Sequence, residues 1–218
     1  MRVEAGLHEI SWIDASGIGH DDVTVTLTPD GCVAVGHVTA FEPDRYEVYY
    51  RVECDAHWRT RYVSVAETLT RRSIELDVSA EGQWIDDHGD VLSGLLGAAD
   101  VDIAATPFTN ALPVHRLDLE VGESAEIVTA WIDVPALHVH ADPQRYTRLA
   151  PLLYRYESLD SEFARDIVVD DEGFVVDYPG LFHRLRPAES PVRPPIPLDP
   201  GRRSAPARRR RITPREGG

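Results

Sequence analysis

VTVTLTPDGCVAVGHV, residues 23–38, is the stretch whose reading decides the fold. Val23, Val25 and Leu27 alternate with Thr24, Thr26 and Thr28, and a period of two sends one set of side chains to each face of a half-buried strand. Pro29, Asp30 and Gly31 then supply a turn before CVAVGHV resumes the extended pattern, so the stretch reads as a β-hairpin. Comparable runs recur at 46–54, 57–65, 73–78, 127–134, 137–141, 152–156, 167–170 and 174–178. Turn residues separate them at short spacing. This predicts a mainly β protein, a large antiparallel sheet curled into a β-roll or half-barrel around one short helix. Helical periodicity is nearly absent elsewhere. The one good helix start is Thr106 followed by Pro107, a capping hydroxyl before a residue preorganised for the first turn. Pro113 is expected to end that helix within about two turns.

The chain has 218 residues, enough to bury the core of one compact domain. Charge divides it: residues 1–186 carry 14 Arg against 34 acids, while 187–218 carry 8 Arg against 3 acids, and there is no lysine. The first region is expected to be the β-roll domain. The second holds half of the 16 prolines and is expected to be a disordered tail, too poor in apolar residues to offset its ordering entropy. Its arginines at 208–211 suit either an anionic surface or plain solvation. The acidic body excludes nucleic acid as its partner, because phosphate binding needs cationic surface. No apolar run reaches bilayer length, and MRVEAGLHEISWID lacks a secretory head, so a cytoplasmic protein is expected. Cys32 and Cys54 read as buried reduced thiols, too few for a disulfide scaffold.

Three segments carry more polar chemistry than a plain sheet requires. They are DVDIAATPFTNALPVHRLDL at 100–119, QRYTRL at 144–149 and VVDYPGLF at 175–182. Together they resemble the family named "Putative glycolipid-binding", over about residues 7–184. The resemblance implies a many-stranded β-roll around a short helix and an amphiphilic, glycolipid-like ligand, with no catalytic motif attached. Within those segments and their matched positions, the candidate ligand-binding residues are Arg59, Arg61, Asn110, Arg116, Gln144, Arg145, Tyr146 and Tyr178.

The residues themselves leave several roles open. VECDAHWRTRY at 52–62 aligns with VHADPQRYTRL at 139–149, and EGQWIDDHGDVL at 81–92 with EGFVVDYPGLF at 172–182. The pattern suggests an internal duplication, with halves at about 7–98 and 115–186 joined by 99–114. Alternation would put His57, Arg59 and Arg61 on one strand face, and Gln144, Tyr146 and Arg148 on one face of the second copy. Such stripes could hydrogen-bond a sugar or phosphate head group, or be solvated surface. Asp100 and Asp102 could serve acid–base chemistry, but are expected to accept from Arg116 or the 106–112 turn. His138 and His140 supply only two ligands of a metal set, so no metal and no cofactor is expected. The tyrosines and tryptophans could hold an amphiphile's tail, or simply fill a core. The leading function is therefore non-enzymatic binding of an amphiphile in a cavity of the curved sheet. The alternatives are a hydrolase using Asp100/Asp102 or His138/His140, and a structural homodimer paired through a sheet edge.

Overall fold

The computed structural model describes residues 5–42 and 45–186. Fourteen strands form one open sheet. In chain order, β1 is Gly6–Asp14, β2 His20–Thr28, β3 Gly31–Ala40, β4 Tyr46–Asp55, β5 Thr60–Glu67, β6 Arg72–Val78 and β7 Trp84–Asp86. The second half holds β8 Ala98–Ile103, β9 Ser124–Ile132, β10 Val139–Ala150, β11 Leu153–Ser158, β12 Ala164–Val169, β13 Val175–Tyr178 and β14 Phe182–Arg184. Their spatial order is β7-β6-β5-β4-β3-β2-β1-β14-β13-β12-β11-β10-β9-β8. Two meanders thus meet where β1 pairs β14, with Trp12 opposite Arg184 and Asp14 opposite Phe182.

The 23–38 hairpin forms as its pattern requires. Val23, Val25 and Leu27 are buried along β2, and Leu27 pairs Cys32 in the next strand. Gly31 stands at φ 143°, where a Cβ would sit 1.9 Å from the Cys54 carbonyl oxygen, so only glycine fits this close approach. Gly36 leaves similar room: its Cβ would lie 2.0 Å from the Tyr50 ring. That ring points inward and its hydroxyl donates to Asp21 at 3.2 Å. Cys32 and Cys54 are buried free thiols, opposite one another in the β3–β4 register.

All strand pairings are antiparallel except β8 with β9, which run parallel. A parallel pair cannot be joined by a tight hairpin and needs a crossover, usually helical. Here the crossover is the 3₁₀ turn Pro107–Asn110 followed by α1, Ala111–Leu117. Thr106 caps the turn, accepting from the Phe108 N–H at 3.0 Å. Pro113 does not end the helix as expected. It occupies the first turn of α1, where a backbone N–H has no intrahelical partner to lose, and the helix runs on to Leu117 before Asp118 turns left-handed at φ 42°.

The crossover fills the hollow of the sheet. Phe108, Ala111 and Leu112 are fully buried, in one cluster with Trp12, Val25, Val52, Val65 and Ile132. Val114 joins a second cluster with Tyr146, Tyr154, Tyr156, Ile167, Val175 and Tyr178. Trp12 Nε1 donates to the Val175 carbonyl at 2.9 Å and Trp84 Nε1 to that of Ala98 at 3.0 Å, so both buried indoles keep a hydrogen bond. The two aligned blocks of the faint repeat differ: the turn closed by Gly82 on Ser79 recurs where Gly173 closes on Asp170, but the first block takes two local structures. Residues 52–62 span the end of β4, a turn and the start of β5, whereas 139–149 lie within the single strand β10. The expectation for 187–218 lies outside the described residues. Among those described, no helix is long and apolar enough to cross a membrane.

Candidate functional site

The inward face of β10 is set by strand alternation: Asp142, Gln144 and Tyr146 are buried, while Arg145 points out. Gln144 is fully buried. Its Nε2 donates to Asp142 at 2.7 Å, to Asp102 on β8 at 2.8 Å and to Thr129 Oγ1 on β9 at 3.1 Å. One amide therefore holds two carboxylates from different strands. Asp102 also accepts from Thr109 Oγ1 at 2.9 Å, which fastens the crossover to β8. Next along β10, Tyr146 accepts from Asn110 Nδ2 at 2.8 Å and meets the Tyr156 ring edge-on at 5.6 Å.

These groups lie at the base of a cleft of about 410 Å³. Asp102, Asn110 and Asp142 line it together with Trp131, Tyr156, Phe163 and Tyr178, and with Asp160 and His140. Acid and amide groups and aromatic rings thus share one lining, with Trp131 directly beside Asp102 in the β8–β9 register. Burial pushes the Asp102 carboxyl up to about 6, against its bonds from Gln144 and Thr109; the neighbouring Asp142 and Asp100 add to the rise. Burial likewise raises Asp142. Tyr156 and Tyr178 are driven far up, first by burial and then by the Asp102 charge, so both hydroxyls remain neutral donors.

The eight candidate binding residues separate. Asn110 and Tyr178 line the cleft, and Gln144 and Tyr146 stand directly behind its polar groups. Arg116 instead grips the fully buried Asp100 through Nε at 2.8 Å and Nη2 at 2.6 Å. Asp100 is still raised by its burial, which outweighs the guanidinium. Arg145 sits outside the sheet between Glu126 and Glu157. Arg59 and Arg61 do not form the expected strand stripe. Residues 57–59 belong to the turn before β5, where Trp58 adopts φ 61°. Arg61 clasps that turn through Asp55 at 2.6 Å and the Ser79 carbonyl at 3.1 Å, and Arg59 is exposed. The alternation rule assumed a strand beginning at His57, three residues before it does.

Asp142, Trp131, Tyr156 and Phe163 are cleft residues that the candidate set omits. A signal for the first existed, since Asp142, Gln144 and Tyr146 follow the same period of two. His140 is exposed at the cleft and His138 is exposed before β10. No cluster of three or more metal-ligating side chains occurs among the described residues.

A wide sheet curled around its own helical crossover is a β-roll, and that is the class to which this architecture assigns the chain. The chain belongs to the family described as "Putative glycolipid-binding", whose model matches residues 9–184. It is similar to a DUF1089 family protein from Pseudomonas aeruginosa, known from a crystal structure. The TM-score is 0.68 at 34% sequence identity, covering 85% of this chain and 99% of that chain. No curated protein matches it.

Proposed function

We propose that the protein binds an amphiphilic small molecule in the cleft between the crossover and β8–β13, without acting on it chemically. The observation that carries this reading is that acid and amide groups and aromatic rings line the same cleft. Hydrogen-bond acceptors suit the head of an amphiphile, and rings suit apolar carbon. The family description agrees with this class of ligand.

The arginines Arg59, Arg61 and Arg145 support the reading less than expected, because each lies away from the cleft lining. The hydrolytic alternative narrows in the same way. Asp100 is committed to Arg116 and His138 is not in the lining, which leaves Asp102 and His140, with Asp142 beside them in the lining. Edge pairing into a homodimer has less in its favour. Edge strand β7 is three residues long, and β8 already gives its Val101 N–H to Thr60 Oγ1 at 2.9 Å.

The test is titration of the protein with dodecyl maltoside below its micellar concentration, followed by Trp131 fluorescence and by aromatic NMR shifts. Tyr178→Ala and Tyr156→Ala should each weaken binding by about 1–2 kcal/mol through lost ring burial. Arg59→Ala should leave it unchanged. Binding unaffected by either tyrosine would remove the cleft from consideration. Turnover of aryl glycosides, abolished in Asp102→Asn, would replace binding with hydrolysis.

A further inference from the structure

Carboxylates dominate the charge of the cleft lining. Asp102, Asp142 and Asp160 line it, and the Asp142 carboxylate receives one hydrogen bond among the described residues, from Gln144. Gln144 Oε1, buried behind these acids, accepts no hydrogen bond, an arrangement that leaves a buried acceptor unsatisfied. No arginine contributes to the lining and the chain has no lysine. The one lining group able to become cationic is His140, which is exposed. The rings of Trp131, Tyr156 and Tyr178 share the lining with these acids, and aromatic π-faces attract cations.

We infer that the head group selected by this cleft carries an ammonium: carboxylates and aromatic rings lining one cleft form a cation-binding site. This rests on the amphiphile reading and sharpens it. A sulfate or phosphate head would meet three carboxylates, with Arg165, standing over the Phe163 ring at 4.7 Å outside the lining, as the one guanidinium beside them, and burying it there would cost more than it gains. A neutral sugar could donate hydroxyls to the same acceptors but would leave the negative charge uncompensated. An ammonium supplies both donors and charge, and a methylated ammonium still supplies charge to the rings.

Three probes with one tail test this: dodecylamine, dodecyl maltoside and dodecyl sulfate, each titrated calorimetrically below its micellar concentration into the whole chain. The amine should bind at least about ten-fold more tightly than the maltoside, and the sulfate more weakly than both. Asp142→Asn should reduce the preference for amine over maltoside to about three-fold or less. Asp160→Asn, at an exposed position, should reduce it in part and tests the same point if the buried variant fails to fold. Asp87→Asn alters an exposed acid outside the cleft lining and should leave the preference intact. Equal affinity for amine and maltoside would overturn the inference while sparing the amphiphile reading. An equal loss in Asp87→Asn would reduce it to attraction by the protein's overall charge and also overturn it. Failure of all three probes to bind would overturn the amphiphile reading, and the inference with it.

Discussion

At the scale of single residues, two buried groups pull stability in opposite directions with pH. His115, stacked on Trp58 at 3.8 Å, is lowered from 6.5 to about 4, chiefly by burial. The unfolded chain therefore takes up its proton first, and the stability it contributes above pH 6.5 is lost as pH falls towards 4. Asp102 is raised from 3.8 to about 6. The folded state holds that proton more tightly, so its contribution is greatest below about pH 4 and declines as pH rises through 6. Each is worth up to about 3 kcal/mol, and between the two limits they largely cancel. In urea midpoints measured at pH 4.5 and 6.5, Asp102→Asn should steepen the gain in stability with pH, and His115→Phe should reverse or flatten it. Parallel profiles for both variants and the parent would show that neither group titrates as its burial demands. The same residues show what sequence can convey. Alternation put Gln144 and Tyr146 on one face, and β10, unbroken across these two residues, turns that face inward. It misplaced Arg59 because a left-handed Trp58 breaks the period that the rule needs.

At the scale of elements, the helix was legible at its start and not at its end. Thr106 and Pro107 act as their types predict. Pro113 was read as a stop because nothing local reveals that Pro107–Asn110 is a separate 3₁₀ turn and that α1 begins afterwards. The parallel β8–β9 pairing was also hidden, since strand direction is decided by the crossover and not by the composition of either strand. The crossover is pinned to β8 by the Arg116–Asp100 pair. Its carboxylate side chain is 0% exposed and its guanidinium 17%. Arg116→Ala should destabilise the fold by about 3–5 kcal/mol, because it strands a buried charge. Arg59→Ala, at an exposed turn position, should change stability by less than about 0.5 kcal/mol. Chemical denaturation of both variants separates these outcomes, and similar small losses would mean that Asp100 finds other compensation.

At the scale of the whole molecule, a mainly β sheet curled on a short helix could be read from hairpin periodicity and turn spacing. The joining of its two halves could not: β1 and β14 pair at the middle of the sheet, and no local pattern encodes a partner so far along the chain. This pairing predicts tolerance to rearranged connectivity. A circular permutant could join Arg186 to Gly6 through about six flexible residues and open at the exposed turn after Asp86. It should unfold cooperatively, within about 2 kcal/mol of the parent. A molten, non-cooperative permutant would mean that the turn after β7 is needed to hold the sheet's edge.

The β1–β14 seam also fixes an order of events during synthesis. The β1–β7 meander can form from contacts between neighbouring segments as it leaves the ribosome. Its β1 edge, however, waits with unpaired backbone groups until β14 has been made, as does the Trp12 indole until the Val175 carbonyl arrives to accept its hydrogen bond. A waiting strand edge is a template for mispairing with other nascent chains. The protein is therefore most vulnerable to aggregation in the interval before β14 has been made.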